Sequence, residues 1–406
     1  MNEVIILPRY RFSPKYQKIM NDAVNWYYNG PDQVFQIAGN PGTGKSVMLN
    51  AIIDAAKIDR NRIAPMAYTG AAANVMRFKG FANARTVHSW LLTPVQETVR
   101  DKNGSVIKND YFNIPEVGLG FAPKKLEDID LIVIDEAGMI PAGPLQYAIE
   151  KHGIKILVAG DLDQLPPIGD KPAYLFSGKV HILDEIMRQA RGSGIVYLSQ
   201  RLKKGLPIHL GYYGDCYVVY DTDVTDKMVL NSDILICGKN ETRQLLTDTI
   251  RKDIFHYGDG LPVHGERLVC RNNNWRLERD GINLTNGLVG CVSNYPDVTS
   301  FDKKTFTIDF KPNLINSVFE DLLIDYKYFS AHFKDKQRLK YAKYSKGEKL
   351  EYAYAITAHI SQGSQYANGM YFEEYLNKDI NKNLHYTGIT RFSNSCVYVK
   401  KKPKYY

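Results

Sequence analysis

The chain of 406 residues lacks the features that define several other classes of protein. It has no internal repeat, no low-complexity linker, and no apolar run near the ~18 residues that a membrane helix needs. The segment from Met1 to Pro8 is too short and too acidic for a signal peptide. The five cysteines are scattered without a C-x-x-C pair, which argues against a zinc site and for reduced thiols. We therefore expect a cytoplasmic globular protein that does not bind a membrane.

Basic residues outnumber acidic residues, 52 against 44, which gives a net charge of +8. Much of this excess lies between Lys327 and Lys349, where lysines alternate with tyrosines and phenylalanines. Cations interleaved with aromatic rings are typical of grooves that hold single-stranded nucleic acid. A solvated surface helix can have the same composition, so both interpretations stay open for this segment.

Short apolar runs alternate with stretches of helical spacing, which predicts an α/β fold with parallel sheets. The runs Val34–Ala38, Leu131–Ile134 and Ile154–Val158 have the continuous apolar character of strands that are covered on both faces. A second unit of the same kind begins near Asp233 and ends with the strand Cys396–Val399. The fold class is therefore α/β with two parallel-sheet domains.

We place the first domain at residues 1–180 and the second at residues 181–406. Each domain contains an insertion. Residues 91–126 interrupt the first and include Asn103-Gly104, the preferred pair for a two-residue turn, so we expect a β-hairpin there. Residues from about 265 to 350 interrupt the second, and their first part has the short β-type runs of a small β-module.

The strongest motif is Gly39-Asn40-Pro41-Gly42-Thr43-Gly44-Lys45-Ser46, which fits G-x-x-x-x-G-K-[ST]. It follows a predicted strand and opens a predicted helix, as this motif requires. Backbone N–H groups of such a loop close around phosphate oxygens at the helix N-terminus. Lys45 reaches the β- and γ-phosphates, and the Ser46 hydroxyl takes Mg²⁺. The motif predicts ATP and Mg²⁺ as cofactors.

Two acidic residues, Asp135 and Glu136, follow the predicted strand Leu131–Ile134. Ligands of open α/β sheets bind at the carboxyl ends of the strands. We expect Asp135 to hold Mg²⁺ and Glu136 to orient or deprotonate the attacking water. Gln164 follows the next strand, where its amide can contact the γ-phosphate and sense hydrolysis; taken alone, this segment would be only a turn rich in Asp and Pro.

These motifs resemble superfamily 1 DNA helicases of the 5′→3′ type, the RecD-like and phage Dda-like enzymes. Further segments match in family order along nearly the whole chain, although each is weak alone. The resemblance implies that Gln17 contacts adenine and that Arg188 and Arg391 reach the γ-phosphate. The residues that it implies for DNA contact are Thr69, Gly70, Thr86, His88, Pro166, Thr357, His359, Ser361 and Gln362. The chain departs from the family at Tyr68, where proline is usual, and at Ile360, where a basic residue is frequent.

The resemblance implies an ATP-dependent helicase with two RecA-like domains that moves along single-stranded DNA and unwinds fork DNA. It also implies that the hairpin of residues 91–126 acts as a separating pin and that the β-module is a small SH3-like barrel. Replication or recombination proteins are the implied class of partner, and the compact length resembles phage members, which would place the protein in a host cytoplasm. Two alternatives remain: an RNA helicase of the same superfamily, and a DNA-dependent ATPase or loader that does not unwind.

Overall fold

The structure is a computed structural model that describes residues 10–94, 99–100, 106–107, 121–167, 169, 171–175, 178–185, 192–258, 260–280, 282–294, 296, 305–313, 315–340 and 347–403. Within these ranges the chain folds into two α/β units and a small β-module. No helix in the described ranges is both long enough and apolar enough to cross a bilayer.

The strands are short and are numbered here in chain order. They are β1 (Val34–Gly39), β2 (Ile63–Ala67), β3 (Arg85–Thr86), β4 (Leu92–Pro94), β5 (Val99–Arg100), β6 (Val106–Ile107), β7 (Phe121–Pro123), β8 (Leu131–Ile134), β9 (Lys155–Gly160), β10 (Val180–Leu183), β11 (Gly211–Tyr213), β12 (Cys216–Tyr220), β13 (Ile234–Cys237), β14 (Arg267–Cys270), β15 (Asn274–Arg279), β16 (Ile282–Leu284), β17 (Val289–Val292), β18 (Thr305–Pro312), β19 (Phe319–Asp325), β20 (Leu350–Tyr352), β21 (Ala355–Thr357), β22 (Tyr366–Phe372) and β23 (Phe392–Lys400).

The helices connect these strands and cover the sheets. They are α1 (Pro14–Asn29), α2 (Lys45–Ala55), α3 (Gly70–Phe78), α4 (Val87–Leu91), α5 (Pro144–Glu150), α6 (Gly194–Lys203), α7 (Asp226–Leu230), α8 (Asn240–Thr249), α9 (Tyr326–Ser330), α10 (Phe333–Lys340), α11 (Ala358–Ser361) and α12 (Asn381–Ile389). Short 3₁₀ helices lie at Arg60–Arg62, Ala137–Met139 and Asp221–Asp223, and a π-helical turn at Ile250–Ile254 continues α8.

The first unit is built on a six-stranded sheet with the order β10-β1-β9-β8-β2-β3, in which every neighbouring pair is parallel. Strand β8 is fully buried, because helices cover both faces of the sheet. Such burial explains why β8 is a continuous apolar run instead of an alternating pattern. At the start of α1, the Ser13 hydroxyl accepts a hydrogen bond from the Tyr16 N–H, and Pro14 occupies the first helical position.

The second unit contains a sheet with the order β11-β12-β23-β22-β13-β21. Its pairs are parallel except for β11 with β12, which form an antiparallel hairpin at the edge. Together the two sheets confirm the predicted α/β class with two RecA-like units. The edge strand β10 of the first sheet continues to Leu183, three residues past the predicted boundary at 180, and the division into two domains itself stays a prediction.

The β-module is inserted between β13 and β21. It is a five-stranded antiparallel sheet with the order β19-β18-β17-β14-β20, and β15 pairs with β16 beside it. Its core is apolar and includes Phe306, Phe310 and Phe319. The strand β20 returns to this sheet, so the module extends to Tyr352, past the end that the β-type runs had indicated.

The insertion of residues 91–126 contains two antiparallel strand pairs, β4 with β7 and β5 with β6. The pair β5–β6 confirms the predicted hairpin. Its register places Arg100 opposite Val106, which differs by one residue from the register that a regular two-residue turn at Asn103-Gly104 would impose. The turn residues themselves lie outside the described ranges.

Candidate nucleotide and nucleic-acid site

The glycine-rich loop of the first unit joins the end of β1 to the start of α2. Gly42 and Gly44 have φ angles of 80° and 85°, in the left-handed region that residues with a Cβ rarely adopt. At Gly39 a Cβ would lie 2.5 Å from the Thr43 hydroxyl oxygen, so the loop also requires glycine for lack of space. The loop therefore presents its backbone N–H groups and the N-terminus of α2 to one point, as an anion site requires.

The Lys45 side chain folds back along this loop. Its ammonium group donates to the carbonyl oxygens of Gly39 at 2.7 Å and Asn40 at 3.3 Å. The Thr43 hydroxyl donates to the Asn40 carbonyl at 2.8 Å and closes the loop from the other side. These bonds hold the only charged group of the motif next to the backbone N–H groups, where a triphosphate would lie.

The acidic pair after β8 faces the loop. The buried Asp135 carboxylate accepts from the Glu136 N–H at 2.9 Å, and its other oxygen lies 3.9 Å from the Lys79 ammonium. Glu136 itself has a left-handed backbone, with a φ of 53°. A carboxylate and the Ser46 hydroxyl that line one cavity form an all-oxygen set, and this donor chemistry fits Mg²⁺.

Arg391 brings a cation from the second unit to this acidic pair. Arg391 is only 4% exposed, and its guanidinium lies 3.9 Å from a Glu136 carboxylate oxygen. It also donates to the Ser364 carbonyl at 3.4 Å, whereas its buried Nε has no hydrogen-bond partner among the described residues. A buried donor without a partner costs free energy, and an incoming anion would satisfy it.

Gln164 reaches the same place from the turn after β9. Its side chain is 7% exposed, and its buried Oε1 also has no hydrogen-bond partner in the described part of the chain. The position agrees with the predicted role as a sensor of the γ-phosphate, which stays a prediction. The two unsatisfied groups, on Gln164 and Arg391, line one cavity.

This cavity has a volume of about 680 Å³, within the range of about 300–1,000 Å³ that small-molecule sites occupy. Residues of both units line it. The first unit contributes Asn40, Pro41, Gly42, Gly44, Lys45, Ser46, Asp135, Glu136 and Gln164, and the second contributes Gly363, Ser364, Gln365, Thr390 and Arg391. Among the described residues, those predicted to contact phosphates, hold the metal or act in hydrolysis are thus brought together, except for Thr43 and Gly39, which shape the loop from behind.

Gln17 does not line this cavity in the described structure. Its amide donates to Asn21 at 3.1 Å on the same helix, so its contact with adenine stays a prediction. Tyr10 lines the cavity instead, and its hydroxyl donates to Asp54 at 2.7 Å, which also accepts from Arg60. No motif marked these three residues, because only the fold brings them together. The predicted Arg188 lies outside the described ranges.

Three of the residues predicted to contact DNA are helix N-caps. The hydroxyls of Thr69, Thr86 and Thr357 accept from backbone N–H groups three residues later, at 3.2, 3.2 and 3.4 Å. Thr86 and Thr357 are the last residues of β3 and β21, and Thr69 lies two residues after β2, so all three lie at the carboxyl ends of strands. Helix N-termini can bind phosphates, and the contact of these three residues with DNA stays a prediction.

His88 and His359 occupy equivalent positions, two residues after Thr86 and Thr357. Burial lowers the pKa of both imidazoles, so both are neutral at pH 7. The His88 ring lies 6.2 Å from the Tyr68 ring, measured between centroids. Neutral rings of this kind suit hydrogen bonding or stacking better than charge pairing with phosphates.

The predicted DNA segments of the two units meet. A Cβ on Gly363 would lie 2.9 Å from the Thr69 hydroxyl oxygen, and a Cβ on Gly70 would overlap the Thr285 hydroxyl of the β-module. Ser361 is fully buried and donates to the Ala358 carbonyl at 2.8 Å. Gln362 is also buried and donates to the Leu165 carbonyl at 2.7 Å, next to the half-exposed Pro166.

The basic segment from Lys327 to Lys349 is divided between surface and interior. Lys327 and Lys334 are exposed, but Lys336 is only 8% exposed and lies 4.0 Å from Glu351. Burial lowers the pKa of Lys336 to about 8. Tyr328 and Phe329, two of the aromatic residues interleaved with these lysines, are buried as well. Residues 341–346 lie outside the described ranges.

The fold and this cavity define a P-loop nucleotide-binding protein with two RecA-like units. The AAA domain family matches residues 18–219. The ATP-dependent RecD2 DNA helicase of Deinococcus radiodurans is 23% identical over 386 residues, covering 87% of this chain and 45% of the relative. The ATP-dependent DNA helicase Pif1 of Psychrobacter sp. is 29% identical over 182 residues, covering 39% of this chain and 25% of the relative.

Among solved structures, the Pif1 helicase from Bacteroides in complex with ADP-AlF3 and ssDNA has a TM-score of 0.52 at 15% identity, covering 96% of this chain and 92% of that chain. At this identity the similarity shows the fold. The chain resembles superfamily 1 helicases of the RecD and Pif1 type, which confirms the resemblance predicted from its motifs. It spans less than half the length of either curated relative.

Proposed function

We propose that this chain is an ATP-dependent DNA helicase that translocates 5′→3′ on single-stranded DNA and unwinds duplex DNA at forks. The observation that carries the proposal is the composite cavity, in which Arg391 of the second unit meets Glu136 of the first at 3.9 Å. A site that is complete only when two units are together can convert hydrolysis into their relative movement. The RecD2 and Pif1 relatives, which are named as DNA helicases, support this choice.

Hydrolysis is assigned to the residues around the cavity. Lys45 neutralises the β- and γ-phosphates, and Glu136 orients and deprotonates the attacking water. Gln164 contacts the γ-phosphate, and Arg391 stabilises the charge that develops in the transition state. Bound Mg²⁺, held by Ser46 and Asp135, would supply further charge neutralisation.

DNA binding is assigned to the helix N-termini capped by Thr69, Thr86 and Thr357. Contacts to phosphates do not read base sequence, so we expect binding that weakens with salt and shows little sequence preference. Two of these caps belong to the first unit and one to the second. Movement of the units would therefore advance the strand if they grip it alternately.

Strand separation is assigned to the hairpin of residues 91–126. The insertion begins directly after α4, the helix that Thr86 caps. Its base is fixed to that helix, because the Lys124 N–H donates to the Leu91 carbonyl at 2.8 Å and the Lys124 ammonium donates to the Ser89 carbonyl at 2.9 Å. A hairpin anchored to a DNA-contacting helix is well placed to act as a wedge. A surface hairpin without a role is the alternative.

The central test is strand displacement with ATP on forked DNA that has only a 5′ tail or only a 3′ tail. We expect unwinding of the 5′-tailed substrate and none of the 3′-tailed one. The ATPase rate is measured in parallel with single-stranded DNA and with RNA of the same sequence. Stronger stimulation by RNA would favour an RNA helicase, and stimulation by DNA without displacement would favour a loader.

The wedge is tested separately by replacing Val95 to Phe112 with a short Gly/Ser loop. We expect DNA-stimulated ATPase to remain and unwinding to fall strongly. Unwinding at the parental rate would remove the assignment. Equal loss of both activities would indicate a role in folding or DNA binding instead.

A further inference from the structure

The turn that follows β9, from Asp161 to Leu165, belongs to the first unit in sequence but is held by the second. The Leu165 N–H donates to the Thr387 hydroxyl at 2.9 Å, and the Leu165 carbonyl accepts from the Gln362 amide at 2.7 Å. The Asn383 amide donates to the carbonyls of Asp163 at 2.9 Å and Gln164 at 3.2 Å. Three side chains of the second unit thus bond the backbone on both sides of Gln164.

Side chains reinforce this attachment. Leu165 is 2% exposed and packs in the apolar core of the second unit, with residues of α6 and α12. The Tyr386 hydroxyl donates to the Asp161 carboxylate at 2.7 Å, and both groups are buried. Burial, with Asp161 close by, raises the pKa of Tyr386 well above its ordinary value, so the phenol stays protonated and keeps donating.

The side chain of Gln164 points the opposite way, into the nucleotide cavity. Its Oε1 has no hydrogen-bond partner among the described residues, so a bound nucleotide or water could donate to this oxygen. The second unit therefore determines where the backbone of Gln164 lies, while the nucleotide would determine what its side chain contacts. Gln362 comes directly after α11, which Thr357 caps, so the same turn is bonded to a segment proposed to contact DNA.

We infer that Thr387 and Asn383 on α12 are positioning residues that act together with Gln362, directly after α11, to link DNA binding at α11 to the placement of Gln164 in the nucleotide cavity. When the units separate, the turn can follow the second unit, which carries Gln164 away from the phosphate loop. If these bonds break instead, the backbone of Gln164 loses the contacts that fix its position. DNA that favours the closed arrangement would thereby favour hydrolysis. This inference rests on the proposed function.

The test compares Thr387→Val, which keeps the shape but removes the hydroxyl that accepts from Leu165, with Thr387→Ser, which keeps the hydroxyl. The ATPase rate is measured without DNA and with a saturating single-stranded oligonucleotide, and oligonucleotide affinity is measured by anisotropy. We expect DNA stimulation to fall at least tenfold in Thr387→Val. The DNA-free rate and the affinity should stay within about twofold of the parent, and Thr387→Ser should behave like the parent.

A second pair of variants guards against misfolding at the fully buried Thr387. Asn383→Ala removes the bonds to the Asp163 and Gln164 carbonyls from a half-exposed position, and Lys382→Ala changes the exposed neighbour as a control. We expect only Asn383→Ala to lose stimulation.

Several results would overturn the inference. One is unchanged stimulation in Thr387→Val and Asn383→Ala, and another is an equal loss of DNA-free and DNA-stimulated rates in both. A parent whose ATPase does not respond to DNA would overturn the proposed function as well, so the two failures are distinguishable.

Discussion

The two units have the same connectivity, but only one of them carries a phosphate-binding loop. Along the chain the first unit forms β1, β2, β3, β8 and β9 and arranges them in space as 1-9-8-2-3. The second forms β12, β13, β21, β22 and β23 and arranges them as 12-23-22-13-21. Each of these five strands therefore has a counterpart in the other sheet, and only the edge strands β10 and β11 differ, since β10 pairs in parallel and β11 antiparallel. The two insertions lie in different loops of this shared connectivity.

The turns that follow β1 and β12 differ in sequence, and this difference explains why only the first unit has a phosphate-binding loop. After β1 the glycines expose backbone N–H groups to a cavity that also contains Lys45. After β12 the counterpart turn contains Asp221 and Asp223, and the Asp221 carboxylate accepts from the N–H groups of Thr222 and Lys402, both at 3.0 Å. Carboxylates at this place repel phosphates. The second unit therefore contributes to the nucleotide only from across the cleft.

The largest effect is expected at the loop of the first unit. Lys45→Ala should abolish ATP hydrolysis, because the β- and γ-phosphates lose their point charge. DNA binding should persist, since other residues form the proposed track. Lys227→Ala, in the corresponding helix α7 of the second unit, is the matched control and should hydrolyse ATP at the parental rate. Turnover by a folded Lys45→Ala protein would contradict the assignment.

The next effect concerns the two arginines, Arg391 and Arg188, that are predicted to reach the γ-phosphate. Arg391→Ala should lower kcat much more than it weakens nucleotide binding, because the guanidinium acts mainly on transition-state charge. Arginines in this role contribute about 10³- to 10⁵-fold, and we expect the lower part of that range or less. Arg188→Ala should behave similarly, and Arg201→Ala serves as the control. A variant that hydrolyses ATP at the parental rate with saturating DNA would show that its arginine is misassigned.

A smaller effect is expected from the hydrogen bonds at the starts of α3 and α8, the helices that follow β2 and β13. Helix α3 is capped by its own Thr69, whereas α8 has no side-chain cap. The Glu374 carboxylate instead accepts from the N–H groups of Gly238 at 2.7 Å and Lys239 at 2.8 Å, in the turn just before α8. Glu374→Ala should destabilise the chain by ~1–2 kcal/mol, because these two N–H groups lose a charged acceptor. Urea unfolding measures the change, with Asp379→Ala as an exposed acidic control. An unchanged unfolding midpoint would mean that water replaces the carboxylate without cost.

These comparisons also show what could be predicted from sequence. The loop from Gly39 to Ser46 and the strand Leu131–Ile134 are local patterns, and local physics suffices to predict them. The attachment of Leu165 to the second unit is different, because it depends on residues about 200 positions away in the chain. No local pattern contains that information.

The two interpretations of the basic segment could not be separated from its sequence for a related reason. Charge and aromatic content cannot distinguish an exposed lysine from one that a distant carboxylate holds inside. Glu351, on β20, lies beside Lys336, Arg243 and the Tyr328 hydroxyl and draws part of the segment into the interior. Tyr10 was missed because it lines the cavity without belonging to a motif.

The smallest effect is expected from the exposed lysines of the basic segment, if they contact DNA. Lys327 and Lys334 are exposed, with the Lys334 ammonium 3.9 Å from Glu241, whereas Lys336 is buried beside Glu351, so the two exposed lysines can meet phosphates at lower cost than Lys336. Each phosphate contact contributes about 0.7 to the slope of log affinity against log salt for single strands. The double variant Lys327→Ala, Lys334→Ala should therefore flatten this slope by about 1.4. The control neutralises two exposed lysines of the first unit, Lys151 and Lys179, and should leave the slope unchanged. An equal slope in both double variants would mean that the segment is a solvated surface, and that the second unit grips DNA through the N-terminus of α11 alone.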